Sequence, residues 1–198
     1  MCKKIIITDK DVKAAMNVAK SQEVKDVLAA LFKPENKPNL DDYKSIKTYE
    51  DAVMALDEET PDFEALKAAG LPAHQIALMK LETISRALWG KNWEPKPDAE
   101  GSKYFWWPWF ALWTKQEIED RKEEFNGALL SAGAYFGANA GFGYLSARDR
   151  SSYAGANTGF RLCQETEEKA IYFGQQFIKL WAEYLAFNFT VGDFYFNE

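Results

Sequence analysis

Residues 103–113 read KYFWWPWFALW, and the fold class turns on them. Aromatic side chains occupy both alternating positions of this run. The pattern therefore predicts an extended strand buried from two sides, not a strand with one wet face. Pro108 carries no amide hydrogen, so it limits pairing and predicts an edge position or a bulge. Partners for such a strand are expected downstream. Over 127–159 lie seven of the chain's 12 glycines, alternating with Ala, Ser, Asn and aromatics. Within that stretch GANAGF at 137–142 recurs as GANTGF at 155–160. The echo predicts two turn-then-strand units and a small antiparallel pair, 141–147 with 159–163. Phe142 and Phe160 should then point to one sheet face.

The remainder reads as helix and connection. Upstream, Pro72 opens a helix in which Ala77, Leu81, Ile84 and Leu88 form one stripe, and Gly90 ends it. The loop that follows, 92–101, holds Pro95, Pro97 and Gly101. Thr48 with Asp51 predicts a capped helix through Leu56, and Thr60 with Pro61 predicts another that Gly70 closes. Thr114 with Glu117 is a second capping box, opening a charged surface helix toward Phe125. Thr166 caps a long last helix, with Glu167 and Glu168 placed against its dipole. There Ala170, Phe173, Phe177, Leu180, Tyr184 and Phe187 make a core stripe. At the other end, Val12, Met16 and Ala19, then Val24, Val27, Leu28 and Leu31, give two helices or one bent near Ser21. Residues 5–7 read as a short strand or lead-in, and Pro34 and Pro38 mark a linker over 33–39. The expected architecture is α+β. A small, mostly antiparallel sheet packs against a central helix and a long C-terminal helix, with a helical appendage and linker at 1–44 and the α+β domain at 45–198.

Composition narrows the function classes. The 198 residues are 47% hydrophobic and 15% aromatic, too apolar for a disordered chain. The formal charge of −6 argues against broad attraction to nucleic acid or to an anionic membrane. The apolar run at 104–113 is ten residues interrupted by Pro108, well short of the roughly 20 that span a bilayer. The first residues lack the apolar stretch of a secretion signal. With two distant cysteines, Cys2 and Cys163, a disulfide framework is not expected, and reduced thiols in a cytoplasmic setting fit. A single histidine, His74, rules out a zinc site built from His and Cys, and any nucleophile–histidine device would run through it. Cys163 reads as a small buried hydrophobe. No phosphate loop occurs. No metal or cofactor is expected.

The order NWEP, a Tyr-aromatic-Pro-Trp-Phe run, a Gly-Phe-Gly strand, then RLC and EEKAIYFGQQFIKLW resembles a family of small proteins from gut bacteria of the Bacteroides group and their phages. The likeness spans about residues 46–187. That family carries no established activity, cofactor or catalytic residue, so the resemblance implies context only. Separately, SARDRSSYAGANTGFRL at 146–162 resembles the closing strands of formylglycine-generating-enzyme-like and C-type-lectin-like domains, which implies ligand binding.

Binding residues are expected in two groups. Tyr104, Trp106, Trp107 and Trp109 offer a stacking or anchoring platform wherever they are not core. Arg148, Arg150 and Arg161 flank the glycine-rich strands, where guanidinium forks suit a carboxylate or phosphate and Asp149 or a nearby Glu suits the guanidiniums. The leading expectation is a non-enzymatic interaction protein of a phage or mobile element, binding a host or phage protein through exposed aromatic surface. The alternative is a small-ligand or carbohydrate module built on the glycine-rich strands and arginines, marked by a concave pocket containing Arg148 or Arg161. A carboxylate-based hydrolase drawing on Glu94, Asp98 or Glu100 comes third.

Overall fold

A computed structural model describes residues 9–31, 38–96, 98–124, 128–132, 140–151, 160–185 and 191–194. The chain divides into two compact units, Met1–Lys37 and Pro38–Glu198. In the first, α1 (Asp9–Val18) and α2 (Gln22–Leu31) are separate helices. The Ser21 hydroxyl accepts from the Val24 amide at 3.2 Å and so starts the second helix. The stretch 5–7, most of the 33–39 linker, Cys2, Phe187, the first half of GANAGF and all of GANTGF but Phe160 lie outside the described residues.

The second unit opens with a turn through Asn39–Ser45, followed by α3 (Tyr49–Leu56), which starts on the Thr48–Asp51 capping box. The next helix, α4 (Phe63–Ala68), is capped by Asp62 and not by the expected Thr60. The Asp62 carboxylate reaches the Ala65 amide at 2.9 Å, and the side chain nearest the first helical amides takes the cap. Central helix α5 (Ala73–Trp89) follows Pro72 and ends at Gly90, whose φ of 108° only glycine adopts without strain. Its predicted stripe, Ala77, Leu81, Ile84 and Leu88, is fully buried.

Strand β1 (Tyr104–Thr114) leads through the Thr114–Glu117 capping box into α6 (Lys115–Asp120). Then come β2 (Leu129–Ala132), β3 (Ala140–Ser151), α7 (Glu167–Gln176), α8 (Ile178–Leu185) and β4 (Val191–Phe194). The sheet is antiparallel in the order β1-β3-β2-β4. One face carries the main core. Leu130 and Phe142, paired across β2 and β3, pack with α5, α7 and α8 residues such as Leu88, Phe173 and Trp181. The other face holds a smaller cluster of Trp113, Ile118 and Leu129 under α6. There the Gly-Phe-Gly pattern finds its reason. A Cβ on Gly143 would stand 2.7 Å from the Trp113 indole nitrogen and 2.9 Å from Leu129 Cδ1, so the glycine lets both large side chains cross β3.

Three expectations change. Over the described residues 160–163, the expected pairing of 159–163 with 141–147 does not form. β3 already has β1 along its length on one side and β2 beside Gly141–Gly143 on the other, residues 160–162 form a turn, and only Gln164 bridges to Trp106 at the outer edge of β1. Phe142 and Phe160 therefore share no sheet face. Phe142 belongs to the main core, while Phe160 packs outside the strands against Phe105 and Trp107. Similar composition at the two echoes does not impose similar pairing, because pairing is decided by which strand edges are open. The C-terminal helix is two helices joined at Phe177 (φ −108°, ψ 25°). That break turns the buried face of α8 onto Ile178, Trp181 and Ala182 and leaves Leu180 and Tyr184 only partly buried. Strands β2 and β4 lie in segments whose short apolar runs give no periodic signal of their own.

Candidate functional site

The edge of the sheet positions the site. Trp106 exchanges both main-chain bonds with Gln164, N–H to O at 2.9 Å and O from N–H at 2.8 Å. In an antiparallel ladder the groups pointing outward alternate, so Pro108 is the next residue on that side, and it has no N–H to offer. Pairing stops there. Among the described residues no strand pairs with this outer side of β1 beyond the bridge.

On one face of β1 the register places Trp107 opposite Arg148, Phe105 opposite Arg150 and Trp109 opposite Ser146. Trp109 is 38% exposed. The Arg148 guanidinium carbon lies 4.8 Å from its ring centroid and that of Arg150 lies 6.0 Å away, both within cation–π range. Arg150 Nη1 also donates to the Asp149 carbonyl at 2.8 Å. The expected pairing with the Asp149 carboxylate does not form, because neighbouring residues on a strand point to opposite faces. Two polar atoms beside this cluster, Trp107 Nε1 and Ser146 Oγ, are buried and have no hydrogen-bond partner among the described residues.

Arg161 sits elsewhere, on the 160–162 turn, and its Nη1 meets Glu82 of α5 at 3.2 Å. Both line a cleft of about 410 Å³ with Leu78, Trp107, Phe160 and Tyr184. Sequence reasoning found Arg161 and Trp107 but not Glu82, Leu78 or Tyr184. Glu82 reaches Arg161 from 79 residues away. The one usable signal was position: Leu78 and Glu82 share a helix face one turn apart. A second cavity of about 370 Å³ lies between β1 and α8, walled by Pro108, Phe110, Leu112, Trp181 and Leu185.

The seven residues singled out in the sequence thus separate. Trp109, Arg148 and Arg150 come together, with Trp107 between them and the Arg161 cleft. Tyr104, 55% exposed, and Trp106 lie on the opposite face of the strand by alternation. Cys163 is fully buried, its thiol donates to the Phe160 carbonyl, and burial pushes its pKa up to about 12, so it is no nucleophile at neutral pH. His74 is exposed in the first turn of α5. Among the carboxylates named from sequence, Glu94 pairs with Lys96, and Asp98 caps the 98–103 loop by accepting from the Ser102 and Lys103 amides. Among the described residues no group of His, Cys, Asp and Glu is placed to hold a metal ion, and no helix is long and apolar enough to cross a membrane. No protein-family model, no curated protein and no solved structure matches the chain.

Proposed function

We propose that the protein is a non-enzymatic interaction protein that docks a protein partner on the exposed Trp109 and its two arginines. A single observation carries this reading. An indole on the edge strand is left open to solvent with two guanidiniums against it, and Trp and Arg are the residue types that dominate interface energetics. Trp109 itself belongs to none of the buried clusters, so its contact with the two guanidiniums adds nothing to the core. The phage or mobile-element setting and the cytoplasmic location rest on the sequence alone and complete the proposal. The test is stoichiometric co-purification of a partner with the wild-type chain and with Trp109→Ala. Loss of the partner with an unchanged thermal midpoint supports docking through Trp109, and retention refutes it.

The Arg161 cleft favours a second reading, a small-ligand or carbohydrate module. Its volume falls in the range of ligand sites, and it combines aromatic walls with one charged pair at the rim. Titration with a panel of neutral sugars and small carboxylates, read by intrinsic tryptophan fluorescence, distinguishes the two. A response abolished by Arg161→Ala and untouched by Trp109→Ala supports the cleft.

A further inference from the structure

We infer that Trp109, Arg148 and Arg150 form a carboxylate clamp, and that the occupant is an acidic segment of the docked protein. The inference rests on the protein-docking reading and adds the partner's chemistry. It starts from how the chain uses its other arginines. The sequence has five. Arg86 holds Glu58 through two bonds of 2.5 and 2.7 Å, Arg121 holds Glu124, and Arg161 holds Glu82. Arg148 and Arg150 alone hold no carboxylate among the described residues. Both lie against Trp109 instead.

Contact with an indole uses the face of a guanidinium and leaves the N–H groups in its plane pointing outward. Those N–H groups form the fork that takes a carboxylate bidentately; Arg150 already gives an Nη1 proton to the Asp149 carbonyl, so its fork is the Nε and Nη2 edge. The ring also holds both side chains in place before a partner arrives, so less rotamer freedom is lost on binding. Charge sets the class of occupant. On a chain of net charge −6, two adjacent arginines without a carboxylate are a local reversal of sign, which steers an acidic segment to this spot. Nucleic acid and anionic membranes meet the opposite field over the rest of the surface, and two arginines release too few counterions to overcome it. The exposed indole beside the forks supplies apolar contact for the side chains of a peptide, which an isolated anion would leave unused.

The probe is hexaglutamate, titrated into the full-length protein by calorimetry, with hexaglutamine and inorganic phosphate in parallel. Hexaglutamate is expected to bind and hexaglutamine not to. Binding should weaken about tenfold or more in Arg148→Gln and in Arg150→Gln, the loss of a charge-assisted hydrogen-bonded pair. Arg148→Lys, which keeps the charge but not the planar fork, should restore only part of the affinity. Raising the salt should weaken every interaction seen. These positions are exposed, so thermal midpoints should match the wild type. The clamp is overturned if hexaglutamate fails to bind, if it binds the glutamine variants as tightly as the wild type, or if phosphate binds as tightly as the peptide. Failure of the clamp is distinguishable from failure of docking. A partner that stays with the Arg148→Gln/Arg150→Gln double variant but leaves Trp109→Ala keeps the docking surface and removes the acidic occupant.

Discussion

Gly174→Ala measures how closely α7 lies on the sheet. A Cβ at Gly174 would stand 2.6 Å from Pro108 Cβ and 2.7 Å from Tyr144 Cδ2. Carbon atoms in contact settle near 3.5–4.0 Å, so the substitution is short of room by about 1 Å on two sides. Neither neighbour yields easily. The Pro108 ring is rigid and its strand is tied by the Trp106–Gln164 bridge, while the Tyr144 ring meets Phe110 edge-on at 6.2 Å. Two terms of opposite sign compete. Alanine is favoured over glycine inside a helix by about 0.8–1.0 kcal/mol. Overpacking a closed contact costs about 1–3 kcal/mol, and two obstacles this close put Gly174 in the upper part of that range, about 2–3 kcal/mol. The net expectation is a destabilisation of about 1–2 kcal/mol, or a fall of about 2–8 °C in midpoint for a chain of this size. Urea unfolding followed by far-ultraviolet circular dichroism reads it, with the slope against denaturant unchanged. In a Tyr144→Ala background the cost should shrink, because one of the two obstacles has been removed. A Gly174→Ala protein at least as stable as the wild type would show that helix propensity wins and that α7 does not lie against β1 and β3 at this distance.

Phe177→Ala should cost about 3–5 kcal/mol, because the ring is buried between Tyr172 and Phe173 at the junction of α7 and α8; a loss under about 1 kcal/mol in urea unfolding would place that junction outside the core. Tyr144 and Tyr172 predict an alkaline limit. Burial pushes both phenols from 10 up to about 12, so the folded chain resists losing these protons while the unfolded chain gives them up near pH 10. Their contribution to stability is whole below pH 10 and is lost as the pH rises from 10 to 12. A Tyr144→Phe/Tyr172→Phe protein should lose less stability than the wild type between about pH 9 and about pH 11.5 in urea unfolding, and equal losses would sink the assignment.

Helical features were legible because their signals are local. The α5 stripe repeats every three or four residues, and Thr48, Thr114 and Thr166 cap helices through bonds that reach only three residues onward. Periodicity failed where tertiary packing intervened. The alternating threes and fours through Phe177 read as one helix, yet packing against α5 and the sheet favours Ile178, Trp181 and Ala182 over Leu180 and Tyr184. Strand pairing failed more completely. GANTGF resembles GANAGF in sequence, but a strand needs an open edge, and β1 and β2 already occupy both sides of β3 at Gly141–Gly143.

The site depends on one residue that no local pattern marks. Between Phe142 and Tyr144 the register runs Leu112 to Phe142 and Phe110 to Tyr144, but the next pair is Trp109 to Ser146, so Leu145 is an extra residue in β3. Without it the ladder would continue Trp109 to Leu145, Trp107 to Ala147 and Phe105 to Asp149. Every second residue changes face on a one-residue slip. Arg148 and Arg150 would then stand on the far side of the sheet from Trp109, and Asp149 would take their place. With Leu145 bulged, its side chain joins the Trp113 and Leu129 cluster, and the strand beyond it is turned by one position. That turn brings both guanidiniums onto the indole and moves the aspartate away. The same insertion therefore completes the lesser core and assembles a positive, aromatic surface on an acidic chain, which is why RDR beside a tryptophan run did not reveal in sequence which of its charges the tryptophan would meet.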